Sequence, residues 1–357
     1  MAEKVVVGMS GGVDSSVAAY LLKQQGYDVI GVTMQIWQDE SLETIADNGG
    51  CCGLSAVDDA RRVAQILDIP YYVMNFKDIF KETVMDYFAD AYRKGLTPNP
   101  CIACNRHVKW ESLLQKALQI GADYIATGHY AEVCTYPDAG RKTLRISRAI
   151  GKDQTYALYN LTPFQLEHTL MPLWAYSKAE VRAIAEGLGL CVARKPDSQE
   201  ICFIPGNDYA GFLQSYTGEQ GQPGDFVDTN GQVLGRHPGI IHYTVGQRKG
   251  LGIAFGKPMY VKAIRPEGNQ VVLAENDALF TSRLYAGDLN LMAVESISEP
   301  IRAKGKIRYS HKPAPCTIWM ERNRLVCDFD EPQRAITPGQ SAVFYVDDYI
   351  ICGGTIV

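Results

Sequence analysis

The chain lacks the features that mark membrane, secreted and fibrous proteins. No apolar run approaches the ~20 residues that a membrane-spanning helix needs, and the N-terminus enters a predicted strand without the charged segment and apolar stretch of a secretory leader. Internal repeats and low-complexity tracts are absent too. We therefore expect a soluble, cytoplasmic protein with no membrane partner, whose 357 residues form two or three domains.

An excess of positive charge is also missing. The 35 basic and 40 acidic residues give a formal net charge of −5, so the overall field of the molecule does not attract nucleic acid. A nucleic-acid partner needs a local surface, and one candidate is the segment 302–312, which contains no acidic residue. On a strand its alternating basic residues share one face, which can bind phosphates or form a solvated outer surface: Arg302, Lys304, Lys306 and Arg308.

The ten cysteines do not indicate a disulfide framework, because a large chain without an export signal more often uses thiols for reactivity, metal binding or packing. Cys51 and Cys52 are adjacent, which is awkward for two ligands of one zinc ion, and no second paired motif complements Cys101 and Cys104. We expect no structural metal site. Five other cysteines are predicted to be small core residues: Cys134, Cys191, Cys316, Cys327 and Cys352.

Residues 4–16, KVVVGMSGGVDSS, predict a strand, a glycine turn and a helix. Gly11 and Gly12 let the backbone approach a ligand, and amides at the helix start can bind an anion; an ordinary glycine turn is the alternative. The segment lacks the lysine of a Walker loop. Ligands bind beyond the carboxyl ends of parallel strands, so Met34 and Gly128 join the residues predicted to bind a nucleotide: Gly8, Met9, Ser10, Gly11, Gly12, Val13, Asp14, Ser15 and Ser16.

Strand and helix signals alternate over residues 1–205, which predicts an α/β domain with a parallel sheet and helices on both faces. Ser55 and Ser177 are expected to cap two of its helices. Residues 206–277 are rich in glycine and short strand signals and predict a small central β-rich domain. Residues 278–357 predict a C-terminal closed antiparallel β-barrel.

Two further segments hold candidate nucleophiles. Two prolines precede Cys101 and Cys104 at the expected start of a helix, and a helix N-terminus favours a thiolate. Cys202 lies in the extended stretch DSQEICFIP. The thiolate of Cys104 is favoured further by the basic residues that follow it, Arg106, His107 and Lys109.

Six motifs together resemble the tRNA-specific 2-thiouridylases, which replace O2 of the wobble uridine with sulfur: NPCIACNRHVKW, GADYIATGHYA, GKDQTYALY, DSQEICFI, HYTVGQRKGLGI and TPGQSAVFY. SGGVDSS resembles the PP-loop of ATP pyrophosphatases. The resemblance covers the whole chain and implies that Cys104 is the catalytic nucleophile, that Cys202 carries a persulfide and that Asp14 positions Mg²⁺ or pyrophosphate. It assigns contacts with the target base or tRNA to Asn99, Pro100, Cys101, Lys152, Asp153, Gln154, Arg308 and Tyr309.

The implied reaction transfers AMP from ATP to O2 of a flipped uridine, with Mg²⁺ balancing charge, and sulfur then displaces AMP. The sulfur comes from the persulfide of Cys202, either directly or after Cys104 attacks it, which leaves a Cys104–Cys202 disulfide for a reductant to reopen. The implied partners are tRNA and a persulfide donor such as a cysteine desulfurase or a sulfur-relay protein. We expect a monomer.

Several alternatives stay open. Many family members carry an acidic residue where this chain has Cys101, so the acid–base role of that position is undecided. Related thiolases hold an iron–sulfur cluster on three cysteines, but one CxxC pair with a distant cysteine is weak support for a cluster. A nitrogen ligase of the argininosuccinate or GMP synthetase type, or a tRNA-binding protein that only senses nucleotide, needs neither Cys104 nor Cys202. We interpret His129 as a packed histidine rather than a base.

Overall fold

The computed structural model describes residues 2–36, 54–149, 151–197, 201–204, 206 and 208–357. The chain divides into two compact units. The first comprises Met1–Val84, Cys101–Asn207 and Asp348–Ile350, and the second comprises Met85–Pro100, Asp208–Asp347 and Ile351–Val357. The domain boundaries at 205/206 and 277/278 stay a prediction, and Cys51 and Cys52 lie outside the described residues.

The described strands and helices follow in chain order. The strands are β1 (Lys4–Gly8), β2 (Asp28–Gln35), β3 (Tyr71–Asn75), β4 (Tyr124–Ala126), β5 (Glu132–Thr135), β6 (Lys142–Arg145), β7 (Thr169–Leu170), β8 (Gly224–Val227), β9 (Val233–His237), β10 (Tyr260–Arg265), β11 (Gln270–Ala274), β12 (Phe280–Leu291), β13 (Ile301–Lys306), β14 (Ala314–Glu321), β15 (Arg324–Arg334), β16 (Ser341–Val346) and β17 (Tyr349–Ile356). The α-helices are α1 (Val13–Gln24), α2 (Leu54–Ile66), α3 (Lys77–Phe80), α4 (Tyr87–Arg93), α5 (Pro100–Ala103), α6 (Leu114–Gln119), α7 (Pro163–Glu167), α8 (Lys178–Gly187) and α9 (Tyr209–Thr217). Lys81–Asp86 and Cys104–Leu113 are π-helical, and short 3₁₀ turns cover Thr155–Leu158, Ile240–His242, Pro266–Gly268 and Asn276–Leu279.

The first unit contains a five-stranded sheet in the order β3-β2-β1-β4-β7. Every pairing in it is parallel, so the predicted parallel sheet is confirmed. The β-branched run Val5–Val7 fills the central strand and is fully buried, as a strand covered on both faces requires. The carboxyl ends of β1, β2 and β4 lie at one edge, where the glycine loop begins.

Helices α1 and α8 share the core of the first unit. Val17 and Leu21 of α1 and Val181 and Ala185 of α8 belong to one buried cluster. A capping box starts α8: the Ser177 hydroxyl accepts from the Glu180 amide at 3.3 Å, and the Glu180 carboxylate accepts from the Ser177 amide at 2.7 Å. That predicted cap is confirmed, whereas the cap predicted at Ser55 is wrong, because α2 begins at Leu54 and contains Ser55.

The second unit contains a helix, α9, that was not predicted from the sequence; it comes before the strands of the predicted β-rich domain. α9 has an aspartate cap, since Asp208 Oδ1 accepts from the Gly211 amide at 2.9 Å, and it ends at Gly218 in the left-handed conformation. An internal glycine and several aromatic residues hide its periodicity. The predicted β-rich module follows as a mixed sheet in the order β10-β11-β8-β9, with Phe226 and Val261 in its core.

The C-terminal strands form a closed antiparallel barrel, as predicted. β12, β15, β14, β13, β16 and β17 are neighbours in that order, and pairing of β12 with β17 closes the ring. On β13 the alternation is as predicted for two of the basic residues, because Arg302 and Lys304 are exposed while Ala303 and Gly305 are buried. The strand ends at Lys306, so the expectation that Arg308 shares its face is wrong: Arg308 lies in the bend that follows. Within the residues described here, no helix is both long and apolar enough to cross a membrane.

Candidate active site

The loop between β1 and α1 leads into a helix start without a side-chain cap. Gly12 precedes α1 in an extended conformation, and the hydroxyls of Ser15 and Ser16 donate to its carbonyl at 3.2 and 2.8 Å. The Ser10 amide donates to Ser15 Oγ at 3.2 Å, which folds the loop against the first turn. The first amides of an α-helix have no intrahelical acceptor, so this loop has the geometry of an anion-binding site.

Two glycines of this site are required by close packing. Gly11 has φ +67°, and a Cβ there would lie 2.3 Å from the Ala56 carbonyl oxygen. A Cβ on Gly128 would lie 2.6 Å from the Ser15 amide nitrogen and 2.8 Å from the Asp14 carbonyl carbon. The end of β4 therefore packs directly on the first turn of α1, as the strand-end argument predicts.

The other predicted loop residues line the same strand ends. Met34 lies near the carboxyl end of β2, the strand beside β1, and a Cβ on Gly8 would lie 3.8 Å from Met34 Cε. The Met9 amide donates to the Val32 carbonyl at 2.8 Å, and Met9 and Val13 are buried. Met34 and Gly128 thus lie beside the loop, and their roles in binding ATP stay a prediction.

Asp14, the second residue of α1, is held by two donors. The Lys178 ammonium donates to Asp14 Oδ1 and Oδ2 at 2.7 and 2.8 Å, and the Tyr130 hydroxyl donates to Oδ1 at 2.7 Å. Burial and the bond to Asp14 raise the pKa of Tyr130, so its hydroxyl stays a donor. Lys178 is the first residue of α8, and the shared core of α1 and α8 brings it to the loop.

Asp197 is a second carboxylate on the same ammonium group. Lys178 Nζ lies 2.7 Å from Asp197 Oδ1, Lys152 Nζ donates to Oδ2 at 2.8 Å, and Arg182 Nη2 lies 3.3 Å from Oδ1. Partial burial alone would raise the pKa of Asp197, but the bonds from Lys152 and Lys178 outweigh it and lower the pKa to about 2. Asp197 is therefore an anion at neutral pH.

A second lysine contacts the loop backbone. Lys195 Nζ donates to the Gly11 carbonyl at 3.2 Å and to Asp59 Oδ2 at 2.9 Å. The loop lacks a Walker lysine, but Lys178 and Lys195 supply ammonium groups from distant positions. Neither lysine was predicted as a site residue from the sequence. Two features pointed to these regions: the capping serine before Lys178, and the DSQEIC motif shortly after Lys195.

Cys104 is half-buried at the first position of the π-helical stretch Cys104–Leu113. The buried Asn105 side chain donates to the Ala157 carbonyl at 2.8 Å and accepts from Lys109 Nζ at 2.8 Å. His107 Nδ1 lies 2.8 Å from Glu111 Oε2. Two of the basic groups expected to favour the thiolate thus have polar partners on this helix, and the nucleophilic role of Cys104 stays a prediction.

Cys202 is an exposed thiol on an anchored turn. The next two residues, Phe203 and Ile204, are buried, and the Phe203 ring meets Phe80 edge-on at 5.6 Å between centroids. The Ile204 amide donates to the Ile201 carbonyl at 3.0 Å, which closes the turn. Cys202 thus combines an exposed sulfur with a fixed backbone on its carboxyl side, and its role as the persulfide carrier stays a prediction.

The remaining described cysteines divide by burial. Cys316, Cys327 and Cys352 are buried in the barrel, as expected, and Cys134 is half-buried. Cys191 is exposed, so its assignment to the core is wrong; it follows α8 at the end of the connecting turn. Among the residues that the structure describes, no three His, Cys, Asp or Glu side chains converge to hold a metal ion.

The segment predicted to contact tRNA in the first unit has intramolecular partners. Lys152 pairs with Asp197, and Asp153 Oδ2 accepts from the Thr155 hydroxyl at 2.7 Å. The Gln154 side chain accepts from the Tyr130 amide at 2.9 Å, while the Gln154 amide donates to the Tyr130 carbonyl at 3.0 Å. This segment therefore fixes Tyr130, the residue that donates to Asp14.

Of the other predicted contacts, Cys101 is an exposed residue of the first unit, whereas Asn99, Pro100, Arg308 and Tyr309 belong to the second unit. Asn99 is half-buried and Pro100 is buried, and the backbone before them is fixed by Gln340, whose side chain donates to the Thr97 carbonyl at 2.9 Å. Arg308 Nη1 donates to the Arg334 carbonyl at 3.2 Å. Tyr309 is exposed, and Lys306 Nζ lies 5.4 Å from its ring centroid. Their contacts with tRNA stay predictions.

His129 fits the packed interpretation. Its Nδ1 lies 2.7 Å from Thr127 Oγ1, and its ring centroid is 5.7 Å from that of Trp110. Burial, together with the charge of Lys109, lowers the pKa of His129 well below its usual value, so the ring is neutral at pH 7.

Comparison with known proteins gives full-length relatives. The chain matches three family descriptions in succession: "tRNA methyl transferase HUP domain" at residues 3–206, "tRNA methyl transferase PRC-barrel domain" at 210–275 and "Aminomethyltransferase beta-barrel domain" at 281–356. It is 65% identical over 356 residues to the tRNA-specific 2-thiouridylase MnmA of Lachnoclostridium phytofermentans, covering 99% of both chains. It is 59% identical to that of Acetivibrio thermocellus, again covering 99% of each. Among solved structures, a 4-thiouridine synthetase–RNA complex with bound ATP is 17% identical with a TM-score of 0.34, covering 56% of this chain and 45% of the other.

Proposed function

Because the chain belongs to the tRNA-specific 2-thiouridylase family, we propose that it is an ATP-dependent tRNA-uridine 2-sulfurtransferase that converts the wobble uridine to 2-thiouridine. The family predicted from the sequence motifs is thereby confirmed, and a nitrogen ligase is not favoured. The products are thiolated tRNA, AMP and pyrophosphate. A tRNA substrate and a monomeric enzyme in the cytoplasm are parts of this proposal.

The first step activates the base. A pyrimidine C2 carbonyl is a poor electrophile, and its oxygen is a poor leaving group. Attack of O2 on the α-phosphorus of ATP forms an O–P bond and breaks the bond to pyrophosphate, which the N-terminus of α1 and the nearby lysines stabilise. Asp14 fits a Mg²⁺ site, since this ion is usually held by one or two carboxylates with phosphate oxygens; bound there, it neutralises charge on the pyrophosphate.

The second step transfers sulfur. The outer sulfur of a Cys202 persulfide attacks C2 directly, or Cys104 attacks the persulfide and releases hydrosulfide, which then attacks C2. In both routes the former O2 leaves on AMP. In the direct route the adduct is still bonded to Cys202 through its S–S bond, and the Cys104 thiolate attacks Sγ of Cys202, which releases 2-thiouridine. Both routes therefore end with a Cys104–Cys202 disulfide. A dithiol reductant reopens it, and a persulfide donor protein reloads Cys202.

One observation supports this function above the others. Lys178 joins the carboxylate of the nucleotide loop, Asp14, to Asp197, which belongs to the same DSQEIC motif as Cys202. An enzyme that uses ATP only to activate a nitrogen acceptor has no need to connect that loop to a segment carrying an exposed thiol. A sulfurtransferase has to bring activated base and sulfur carrier together.

The test incubates the protein with a transcribed tRNA, radiolabelled ATP and a persulfide donor, and measures AMP release and 2-thiouridine by mass spectrometry. We expect tRNA-dependent AMP release, and no 2-thiouridine with Cys104→Ser or Cys202→Ser. Cys191→Ser is the matched control, because Cys191 is exposed in the same unit and has no proposed role. Full product formation by both site variants, or AMP release that is independent of tRNA, would contradict the proposal.

A further inference from the structure

Acidic residues are absent from a long segment of the central region. Residues 229–266 contain no Asp or Glu, although acidic residues outnumber basic ones in the chain as a whole. The segment includes strands β9 and β10 and the glycine-rich loop that leads into β10. It holds six basic side chains: Arg236, Arg248, Lys249, Lys257, Lys262 and Arg265. This part of an acidic protein therefore has a locally positive surface.

The six cations differ in their intramolecular partners. Arg236 Nη1 lies 3.2 Å from Asp225 Oδ1, and Lys257 Nζ lies 2.5 Å from Glu275 Oε1. The other four are exposed, and none of them pairs with a carboxylate within the described parts of the chain: Arg248, Lys249, Lys262 and Arg265. Their positive charge is available to an anion from outside the molecule.

A β-bulge brings three of these cations to one edge of the central sheet. β10 is the outer strand of that sheet; the Gly246 amide donates to the Val261 carbonyl at 2.8 Å, and the Val261 amide donates to the Gln247 carbonyl at 2.9 Å. Two residues thus oppose one, with Gly246 at φ +90°, which is the geometry of a glycine bulge. The cations next to these paired positions therefore lie at the same edge: Arg248, Lys249 and Lys262.

The backbone around these cations is fixed. The Gln247 side chain accepts from the Thr244 amide and donates to the Lys249 carbonyl, both at 3.0 Å. Further along the loop, Leu251 and Met259 are buried in the core of the same sheet. A surface with a fixed backbone loses little conformational entropy when a ligand binds to it.

Arg334 of β15 connects this edge to the bend that carries Arg308. Its guanidinium lies 5.0 Å from the ring centroid of Tyr260 and donates from Nη2 to the Gly246 carbonyl at 3.4 Å. Its backbone carbonyl accepts from Arg308 Nη1 at 3.2 Å. All four residues belong to the second unit. The bulge and the bend are therefore held about one side chain apart.

We propose that Arg248, Lys249 and Lys262, here named the bulge surface, bind the phosphate backbone of tRNA next to the nucleotides that Arg308 contacts. RNA carries a negative charge on every phosphate, so a second group of cations beside Arg308 can bind neighbouring phosphates without reading the base sequence. The inference rests on the proposed function, since it takes tRNA to be the substrate. It assigns the central domain a part in binding that substrate, in addition to the barrel.

The test measures binding of a transcribed tRNA to the full chain by filter retention from low to physiological salt, without ATP or a sulfur donor. In Arg248→Gln/Lys249→Gln we expect the slope of log affinity against log salt to fall by about 1.4–1.8, and affinity at low salt to fall about tenfold. In Lys262→Gln the slope should fall by about 0.7–0.9, because one charge is removed.

Arg236→Gln is the matched control. Arg236 is exposed in the same segment, but its charge is paired with Asp225, so the slope should stay unchanged. Thermal unfolding of every variant should match that of the unaltered protein, because each altered side chain is exposed.

Ethylation interference locates the contacts on the tRNA. Its phosphates are ethylated at random, and the positions at which ethylation prevents binding are read after bound and free RNA are separated. The Arg248→Gln/Lys249→Gln protein should lose interference at phosphates that adjoin those lost with Arg308→Ala. The Arg236→Gln protein should keep the whole pattern.

Three results would overturn the bulge surface: unchanged slopes in its variants, an equal loss of slope with Arg236→Gln, or lost phosphates that do not adjoin those lost with Arg308→Ala. Unchanged tRNA binding with weaker binding of a persulfide donor would make this edge a protein-docking surface and overturn the inference as well. A protein that thiolates tRNA but shows unchanged slopes keeps its function and loses the bulge surface. A protein whose slopes fall as expected but that forms no 2-thiouridine loses the function.

Discussion

At the residue scale, the geometry of the site depends on a residue without a side chain, Gly128, as well as on its functional groups. Gly128 has no side chain where the end of β4 meets α1, and this absence lets the strand end touch the helix start. The contact places Tyr130, two residues further along, within 2.7 Å of Asp14. A glycine assigned to ATP binding from its place at a strand end thus has a packing reason of its own, independent of any ligand.

Gly128→Ala should weaken ATP binding and destabilise the first unit by about 1–3 kcal/mol, because the new methyl group meets the backbone at Asp14 and Ser15, which cannot move aside cheaply. Calorimetric titration with ATP and urea unfolding measure the two effects. Gly187→Ala is the matched control: its Cβ meets nothing within 4 Å, and alanine in a helix stabilises by up to ~1 kcal/mol relative to glycine. Equal ATP affinity in both variants would contradict this role of Gly128.

The local structure of the loop could be predicted because its residues are adjacent in the sequence. The strand, the two glycines and the helix follow one another directly in residues 4–16, so their spacing alone predicts an anion site. Lys178 lies 164 positions from Asp14, and Lys195 lies 184 positions from Gly11; only the packing of α8 and of the following turn on the loop brings them there. The capping serine before Lys178 and the motif after Lys195 mark these two regions, but nothing in a single sequence pairs either lysine with the loop.

At the element scale, α8 positions the Lys178 ammonium group beside Asp14. Its capping box fixes the first turn, and the first residue of that turn is Lys178. The first unit has a second capping box of the same kind on α7, where Thr162 caps the helix together with Gln165. The two caps are equivalent locally, but only the one on α8 adjoins the nucleotide loop.

Ser177→Ala and Thr162→Ala should each cost about 1 kcal/mol of stability, because each removes an acceptor for an amide at a helix start. Only Ser177→Ala should also raise the KM for ATP, by about fivefold if the same free energy is lost from the position of Lys178. Thermal unfolding and steady-state kinetics give the two numbers for each variant. A KM that rises equally in both would mean that general loosening of the unit, and not Lys178, limits ATP binding.

At the scale of the whole molecule, the protein and its proposed tRNA substrate both carry net negative charge. With a net charge of −5, long-range attraction does not help, so binding of tRNA needs short-range contacts that offset the overall charge. The basic face of β13 is one such surface, yet its members are not equivalent. The Arg302 guanidinium donates to both carboxylate oxygens of Asp330, at 2.8 and 2.7 Å, while Lys304 is exposed beside it. Alternation in the sequence predicts the shared face, but it cannot reveal that a residue of β15 neutralises one of its charges.

The salt dependence of tRNA binding distinguishes these residues. Arg308→Ala and Lys304→Ala should each weaken binding to all tRNAs and reduce the slope of log affinity against log salt by about 1, because each removes one phosphate contact and the counterion released with it. Arg302→Ala is the internal control, since its charge is already paired with Asp330 and should release no counterion. Binding measured by filter retention from low to physiological salt gives the slopes. Equal loss of slope in all three variants would mean that tRNA displaces Asp330 from Arg302, and no loss in any of them would remove this face from the tRNA-binding surface.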